Sequence, residues 1–213
     1  MLPAVNRNAP HSTASPADRH LTLRTLLDEL HEDGILGVDD VNRLSGQSRS
    51  RAELEMHPLS YLAGLQLGDQ RPDGTTLTMP VLLRWLSGRC NQSVFHIDPM
   101  KIDARAVTQV MSFAFAKRHQ ILAVELDAEQ VVIVSGQPYV SSWEADLAHV
   151  LQKRIVRVVA DPADIQRYCI EFYTLVHSVS GAVSGSKPSA VNISNFEQML
   201  ELGKLKDPDA NDQ

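Results

Sequence analysis

The segment FHIDPMKIDARAVTQVM, residues 95–111, contains a histidine and two aspartates within eight residues. His96, Asp98 and Asp103 are of types that bind metals or transfer protons, provided that their side chains converge on one point. However, an aspartate before Pro99 is typical of a turn. Asp103 directly precedes a helical apolar pattern, where an aspartate normally caps the helix. No further ligand follows at a recognised spacing, so we predict a structural corner with no metal or catalytic residues.

The elements around this corner follow from the apolar spacing. Val107, Val110, Met111 and Ala114 recur at i, i+3, i+4 and i+7, which predicts one amphipathic helix over ARAVTQVMSFAFAK. The isoleucines on the two sides of the turn, at 97 and 102, are expected to be buried. An independent small enzyme built on this segment would need a second set of convergent polar residues, and the pattern offers none.

Composition indicates a globular protein and excludes several classes of function. The 213 residues are 43% hydrophobic, which is enough for a substantial core. The formal net charge of −6 argues against a nucleic-acid partner, since phosphate binding requires a clustered basic surface. Only Cys90 and Cys169 occur, without a CxxC pair, which fits a reducing cytoplasm. No apolar run is long enough for direct membrane insertion, and the eight histidines form no HExxH pattern.

The first part of the chain predicts a tail followed by short helices. Residues 1–18 are rich in Pro, Ser, Ala and Asn, which predicts a disordered tail. Residues 19–76 predict a helical N-terminal subdomain. Its first helix has four leucines on one side and ends at Gly34, and Asp39 or Asp40 is the expected cap of the second helix. The four leucines are Leu23, Leu26, Leu27 and Leu30.

Residues 77–178 predict a compact α+β domain in the order helix, helix, strand, strand, helix, strand, helix, which can be written α-β-β-α-β-α from the helix after Asp103. QILAVEL and VVIVS have a length and separation that suit a hairpin, and RIVRVVA is the third strand. SSWEADLAHVLQK has Ser141 and Glu144 in capping-box spacing and is expected to bury an apolar face that includes Val150. Asp161 and Pro162 begin the last helix.

The composition of the last part of the chain predicts a linker followed by the start of a further region. Residues 179–194 are a Gly/Ser-rich linker, and NFEQMLELGK in residues 195–213 begins a new helix shortly before the sequence stops. This pattern suggests the start of a further region that is truncated.

Three motifs in one order carry a resemblance to a known family. DPMKID, HQILAVEL and DPADIQRY resemble segments in the N-terminal domain of the type II secretion and type IV pilus assembly ATPases, and the similarity covers residues 77–178. NFEQMLELGK resembles the segment that leads to the ATPase region of that family. The resemblance implies an N-terminal docking and regulatory module that links a cytoplasmic motor to the cytoplasmic domain of an inner-membrane assembly protein.

The same resemblance sets the expectations for cofactors and partners. The parent protein is expected to be a homohexamer that uses ATP and magnesium, located in the cytoplasm and peripheral to the inner membrane through its partner. The 213 residues have no GxxxxGK[ST] loop, and the nearest segment, GAVSGSKPS, has Pro188 after its lysine. We therefore expect no cofactor and no ATPase activity in this chain, and we expect the four leucines of the first helix, at 23, 26, 27 and 30, to contact the partner.

A weaker resemblance suggests an alternative function, a cyclic di-GMP-binding sensory module of the same family. The N-terminal helices resemble the half-repeats through which some of these ATPases bind that dinucleotide. Thr25, Leu27 and Ser48 stand where the motif has arginine, glycine and glutamine, so charge-assisted bonds and close backbone approach are lost. The residues that match the motif are Leu30, Gly34, Leu36 and Val41.

Overall fold

The computed structural model describes residues 18–71 and 74–183, with side chains to residue 179. In this part of the chain, helices come first and a small sheet follows, as the predicted α+β class requires. The helices and strands are α1 Leu23–Glu32, α2 Val38–Gly46, α3 Arg51–Glu55, α4 Pro58–Gly64, α5 Met79–Cys90, α6 Ala104–Val107, α7 Phe113–His119, β1 Ile121–Leu126, β2 Gln130–Ser135, α8 Ser142–Leu151, β3 Arg154–Val159 and α9 Pro162–Val183.

Helix α1 forms where the sequence predicts it. Thr22 and Thr25 cap its first turn reciprocally through their hydroxyl and backbone groups. The helix ends at Gly34, whose φ of +68° lies in the left-handed region that glycine adopts at low cost. Helix α2 begins at Val38 with Gly37 as its N-cap residue, so the predicted cap at Asp39 or Asp40 is wrong. A Cβ at Gly37 would displace the end of the Gln70 side chain.

The apolar faces of the N-terminal helices and of α5 pack together into a leucine cluster. One strand residue, Val159 at the end of β3, also belongs to it. The buried members of this leucine cluster are Leu21, Leu23, Leu26, Leu27, Leu30, Ile35, Leu36, Leu44, Leu59, Tyr61, Leu62, Leu77, Leu82, Leu83, Leu86 and Val159.

The three strands form a sheet in the order β1-β2-β3. Strands β1 and β2 make the predicted antiparallel hairpin, with a bulge between Ala123 and Glu125. Strand β3 lies parallel to β2 after a crossover through α8. The Phe95 N–H donates to the carbonyl oxygen of Val159 at 2.8 Å, so the segment before the DPMKID corner extends the sheet beyond β3.

Buried residues around this sheet form a second group, the sheet cluster. It is rich in β-branched residues and aromatic rings, and it lies against α6 to α9. Its buried members are Ile97, Val107, Val110, Met111, Ala116, Ile121, Leu122, Ala123, Val124, Val131, Val132, Ile133, Val134, Val140, Trp143, Leu147, Val158, Ala160, Ile165, Cys169, Phe172 and Tyr173.

The single helix predicted after Asp103 is two helices. Helix α6 ends at Val107, and α7 starts only at Phe113, where the Ser112 hydroxyl accepts a hydrogen bond from the Phe115 N–H at 3.2 Å. Ser112 starts the second helix because its hydroxyl satisfies a free backbone N–H of the first turn. The interruption rotates the following residues, so that Ala114, predicted to face inward, is exposed.

The cap of α8 also differs from the prediction. Ser141 does not cap α8 with its own side chain. Instead Asp18, distant in sequence, accepts hydrogen bonds from the backbone N–H groups of Ser141 at 2.7 Å and Ser142 at 3.1 Å. Val150, expected to face inward, is 76% exposed. Spacing alone could not show that a distant aspartate caps this helix.

The C-terminal helix α9 begins as predicted, with Asp161 accepting a hydrogen bond from the Ala163 N–H at 2.9 Å. The compact unit that contains both clusters extends to Tyr173, and from Thr174 α9 belongs to a second unit. The predicted linker overlaps α9 at residues 179–183, and residues 1–17 and 184–213 lie outside the described part. The domain boundaries given above remain predictions. Along the described residues, no helix is long and apolar enough to cross a membrane.

Candidate functional site

The DPMKID corner is a structural element. Asp103 accepts hydrogen bonds from the backbone N–H groups of Arg105 at 3.0 Å and Ala106 at 3.2 Å, which confirms the predicted helix cap. Asp98 accepts one from the Met100 N–H at 3.1 Å and pairs with the Lys101 ammonium at 3.1 Å. These bonds, the one from Lys101 first, hold the pKa of Asp98 below its usual value. The carboxylates of Asp98 and Asp103 thus each accept hydrogen bonds from backbone N–H groups that follow them in the chain.

The corner does not gather metal ligands. In residues 18–71 and 74–183, no group of three or more His, Cys, Asp or Glu side chains is placed to hold a metal ion. Ile97 is buried as predicted, and Ile102 is half-buried. Asp98 and Asp103 therefore fix the turn and the start of α6, and His96 is exposed.

The four leucines proposed for partner binding face the interior of the leucine cluster. Leu26, Leu27 and Leu30 are at most 1% exposed, and Leu23 is 9% exposed. Packing accounts for each of them, because a partner could reach these side chains only if α1 left the cluster. Their role in binding a partner remains a prediction.

The residues matching the cyclic di-GMP motif lie along the turn from α1 to α2. Leu30 and Leu36 are buried, Val41 is half-buried, and Gly34 forms the left-handed turn. At the positions that depart from the motif, the Thr25 hydroxyl donates to the Thr22 carbonyl oxygen at 3.0 Å and Leu27 is 1% exposed. The matching residues thus have packing roles, and dinucleotide binding stays an untested alternative.

A buried polar joint connects the leucine cluster to the loop after β2. Gln137 in this loop accepts a hydrogen bond from the Leu21 N–H through its Oε1 at 2.7 Å. Its Nε2 lies 3.0 Å from Nε2 of His57, which precedes α4. The Gln137 N–H in turn donates to the Ser135 hydroxyl at 2.9 Å. Sequence analysis missed this joint because its members are 80 and 116 residues apart.

Histidine 57 is neutral in this environment. Burial lowers the pKa of His57 to about 4, and a hydrogen bond with the Gly136 backbone opposes that shift only in part. The Leu59 N–H donates to Nδ1 of the ring at 3.3 Å. The buried His57 ring therefore connects the Gln137 side chain to the backbone at the start of α4.

Residues 18–21 form a strap across the same loop. Besides the cap that Asp18 provides for α8, Arg19 forms an ion pair with the buried Glu29 and lies 3.9 Å from the centre of the Tyr139 ring. These contacts hold the chain that enters α1 against the loop between β2 and α8. The strap, together with Gln137, fixes the two clusters relative to each other.

A cavity of about 240 Å³ opens beside this joint. Glu55 and His57 line it on the side of α3 and α4, Lys117 lines it from α7, and Cys169 and Ile170 line it from α9. Its position at the meeting of three helices and the end of β2 makes it a candidate binding site.

The groups around the cavity suit binding better than catalysis. Burial raises the pKa of the Cys169 thiol to about 11, so the thiolate, the reactive form, is scarce at neutral pH. His57, with its pKa near 4, has its ring nitrogens engaged by neighbouring groups. The apolar wall contributed by Ile165 and Ile170 and the polar rim formed by Glu55 and Lys117 are typical of a surface that receives an apolar group.

Part of the chain matches a known family model. Residues 90–179 match the family model of the MshEN domain. Over 191 residues the chain is 35% identical to the type IV pilus assembly ATPase TfpB of Acinetobacter baylyi, a match that covers 88% of this chain and 32% of that protein. The chain thus spans about a third of the length of this curated relative.

Two solved structures are similar to part of the chain. A structure of MshE with cdg is 16% identical, covers 70% of this chain and 98% of that one, and has a TM-score of 0.44. The structure of the N-terminal domain of XpsE is 15% identical, covers 71% and 96%, and has a TM-score of 0.42. Residues 90–179 are therefore similar to the MshEN domain, and the chain is similar over 191 residues to a type IV pilus assembly ATPase.

Proposed function

We propose that this chain is the N-terminal docking and regulatory module of a pilus-assembly or secretion ATPase, and that it links the motor to an inner-membrane assembly protein. The observation that carries the proposal is the 35% identity over 191 residues to a pilus assembly ATPase, which extends across the N-terminal helices as well as the MshEN domain. ATP, magnesium and a homohexameric state belong, in this proposal, to the parent protein. The module acts in the cytoplasm, held at the inner membrane by its partner.

The structure supports a binding role in two ways. The joint through Gln137 and the strap at residues 18–21 give the two clusters a fixed relative geometry, which a module that transmits contact with a partner requires. The cavity beside the joint has an apolar interior and no activated nucleophile in its described lining. Rigid placement of a binding surface favours association because less freedom is lost on binding.

The direct test measures binding of the 213-residue chain to the purified cytoplasmic part of the inner-membrane assembly protein from the same organism. Biolayer interferometry is expected to give saturable binding that the chain loses after thermal unfolding. An acidic globular protein of similar size serves as the control for charge. No saturable binding to the cytoplasmic part of any inner-membrane protein of the pilus or secretion system would contradict the proposal.

A second measurement addresses the absence of catalysis. The chain by itself is expected to hydrolyse no ATP, since its sequence has no phosphate-binding loop. Turnover that follows the folded chain through purification, and disappears on its unfolding, would contradict this expectation.

A further inference from the structure

The cavity beside the joint differs from a typical small-molecule site in size. Its volume of about 240 Å³ is below the roughly 300–1,000 Å³ of most ligand pockets. Protein interfaces commonly use pockets of this smaller kind for a single aromatic or branched side chain, which then carries much of the binding energy. Size therefore favours one large side chain over a nucleotide or a drug-sized ligand.

The interior of the cavity is shaped by close packing. A Cβ at Gly136 would lie 3.0 Å from Cγ of Pro162 and 3.5 Å from Nε2 of His57, so glycine allows α9 and the loop after β2 to approach each other. Ile165 and Cys169, both at most 4% exposed, complete the inner wall. These groups belong to the sheet cluster or abut it, which makes the wall rigid.

The rim exposes apolar surface to solvent. Ile170, which lines the cavity, is 49% exposed, and Met56, which lies between two lining residues in the chain, is 43% exposed. An exposed isoleucine at the cavity, with an exposed methionine next to Glu55 and His57 in the chain, is an arrangement expected where a partner covers the surface.

The charges on the rim are unequal. Glu55 accepts a hydrogen bond from Nε of Arg51 at 3.0 Å, so its charge is already compensated. Lys117 is exposed and forms no ion pair with the part of the chain that the structure describes. The uncompensated charge at the rim is therefore positive, and it favours an acidic residue on the partner.

We infer that the cavity receives one large apolar side chain, a phenylalanine, tryptophan or leucine, from a segment of the inner-membrane assembly protein that carries an acidic residue next to this anchor. The inference rests on the proposed function and assigns the docking site within it. Ile170 and Met56 cover the flanks of the inserted side chain, and Lys117 pairs with the neighbouring carboxylate.

The test compares rim variants with matched controls elsewhere on the surface. Ile170→Asp and Met56→Asp place a charge at the cavity, whereas Val150→Asp and Met100→Asp place one on side chains that are 76% and 91% exposed. Binding to the cytoplasmic part of the assembly protein is expected to weaken at least about tenfold for the rim variants and less than about twofold for the controls. Melting temperatures, measured on all four variants, show that each protein is folded.

Charge reversal gives an independent measurement that does not disturb apolar packing. Lys117→Glu is expected to weaken binding about tenfold and to reduce its dependence on salt. Arg118→Glu, an exposed neighbour in the same helix, changes the net charge equally and is expected to have a smaller effect.

The outcomes separate this inference from the proposed function. If the unmodified chain binds and the rim variants bind equally well, the docking site lies elsewhere while the proposed function stands. If the unmodified chain does not bind, both fail. Mass spectrometry of the chain purified from its host could instead show a small molecule that Ile170→Asp releases with partner affinity unchanged, and this result would also overturn the inference.

Discussion

The leucine cluster and the sheet cluster reach similar burial by different means. Thirteen of the sixteen buried members of the leucine cluster are leucines, and ten of these lie in short helices, each too small to be stable in isolation. The sheet cluster has two leucines among its twenty-two buried members, twelve of which are β-branched. The β-branched side chains suit a pleated surface, and long-range strand pairing fixes their positions.

The comparison shows which interactions stabilise each region. The helices of the leucine cluster have strong local signals, such as the cap at Thr22 and the proline at the start of α4, yet they depend on one another for burial. The strands of the sheet cluster have a hydrogen-bonded ladder of their own. The joint through Gln137 and the burial of Val159 in the leucine cluster connect the two, so we expect the residues through Tyr173 to unfold as one unit.

The largest expected effect comes from opening a void in either cluster. Leu26→Ala and Ile133→Ala, both at positions 0% exposed, are each expected to lower the free energy of unfolding by about 2–5 kcal/mol. Chemical denaturation followed by circular dichroism should show one shifted transition for each variant. Leu54→Ala, at a position 59% exposed, should change stability by less than about 0.5 kcal/mol. Two separate transitions in Leu26→Ala would mean that the clusters unfold independently.

Acidification should weaken the joint between the clusters. The pKa of His57 is about 4 in the folded protein and about 6.5 in the unfolded chain, so the unfolded chain binds a proton that the folded protein binds only near pH 4. Stability contributed by the neutral ring is fully present above pH 6.5 and is lost as the pH falls towards 4, by up to roughly 3 kcal/mol.

Denaturation at a series of pH values checks this prediction. Between pH 6.5 and 5 the slope of stability with pH should be smaller in His57→Gln than in the unmodified protein. His96→Gln, at an exposed histidine, should retain the slope. An unchanged slope in His57→Gln would assign the pH dependence to other groups.

Removal of the Gln137 amide should have an intermediate effect. Gln137→Leu leaves the Leu21 N–H without its acceptor, and a buried unpaired donor costs about 1–3 kcal/mol. Hydrogen exchange should show faster opening of α1 in this variant, because the contact holds the entrance to that helix. Gln109→Leu, at an exposed glutamine, is the control. Slower or unchanged exchange in α1 would show that the strap alone fixes the helix.

The helix cap at the DPMKID corner should contribute less. Asp103→Ala is expected to lower the free energy of unfolding by about 1 kcal/mol, the usual loss for an N-cap aspartate. Thermal unfolding measures the change, and Asp146→Ala on the exposed face of α8 is the control. A metal or an activity lost in Asp103→Ala at unchanged melting temperature would instead indicate a functional site at the corner.

The smallest expected effect is that of cyclic di-GMP. The α1 positions that depart from the binding motif carry a threonine engaged in a cap and a buried leucine, so the ligand lacks its cationic partner and close backbone approach. Calorimetry is expected to show no saturable heat at micromolar ligand. Saturable binding that Leu36→Ala or Val41→Ala weakens would establish the sensory alternative.

Much of the fold was predictable because its signals are local. Glycine 34, the prolines at the starts of α4, α5 and α9, and the alternation in the strands each restrict a few adjacent residues. The break at Ser112 was not predicted, since the apolar spacing of Val107, Val110 and Met111 continues smoothly into the next helix. The candidate cavity was also not predicted, because its lining comes from four separated segments.

The sequence by itself determined the end of α1 near Gly34, the start of α9, the hairpin, the cap at Asp103 and the resemblance to the secretion and pilus ATPases, since each depends on residues close together in the chain. Only the tertiary structure decided that Asp18 caps α8, that Gln137 connects Leu21 with His57, and that a cavity opens beside them. These contacts join residues 80 to 123 positions apart, and their formation depends on how the two clusters pack. Packing between distant segments leaves no regular spacing in the sequence from which it could be read.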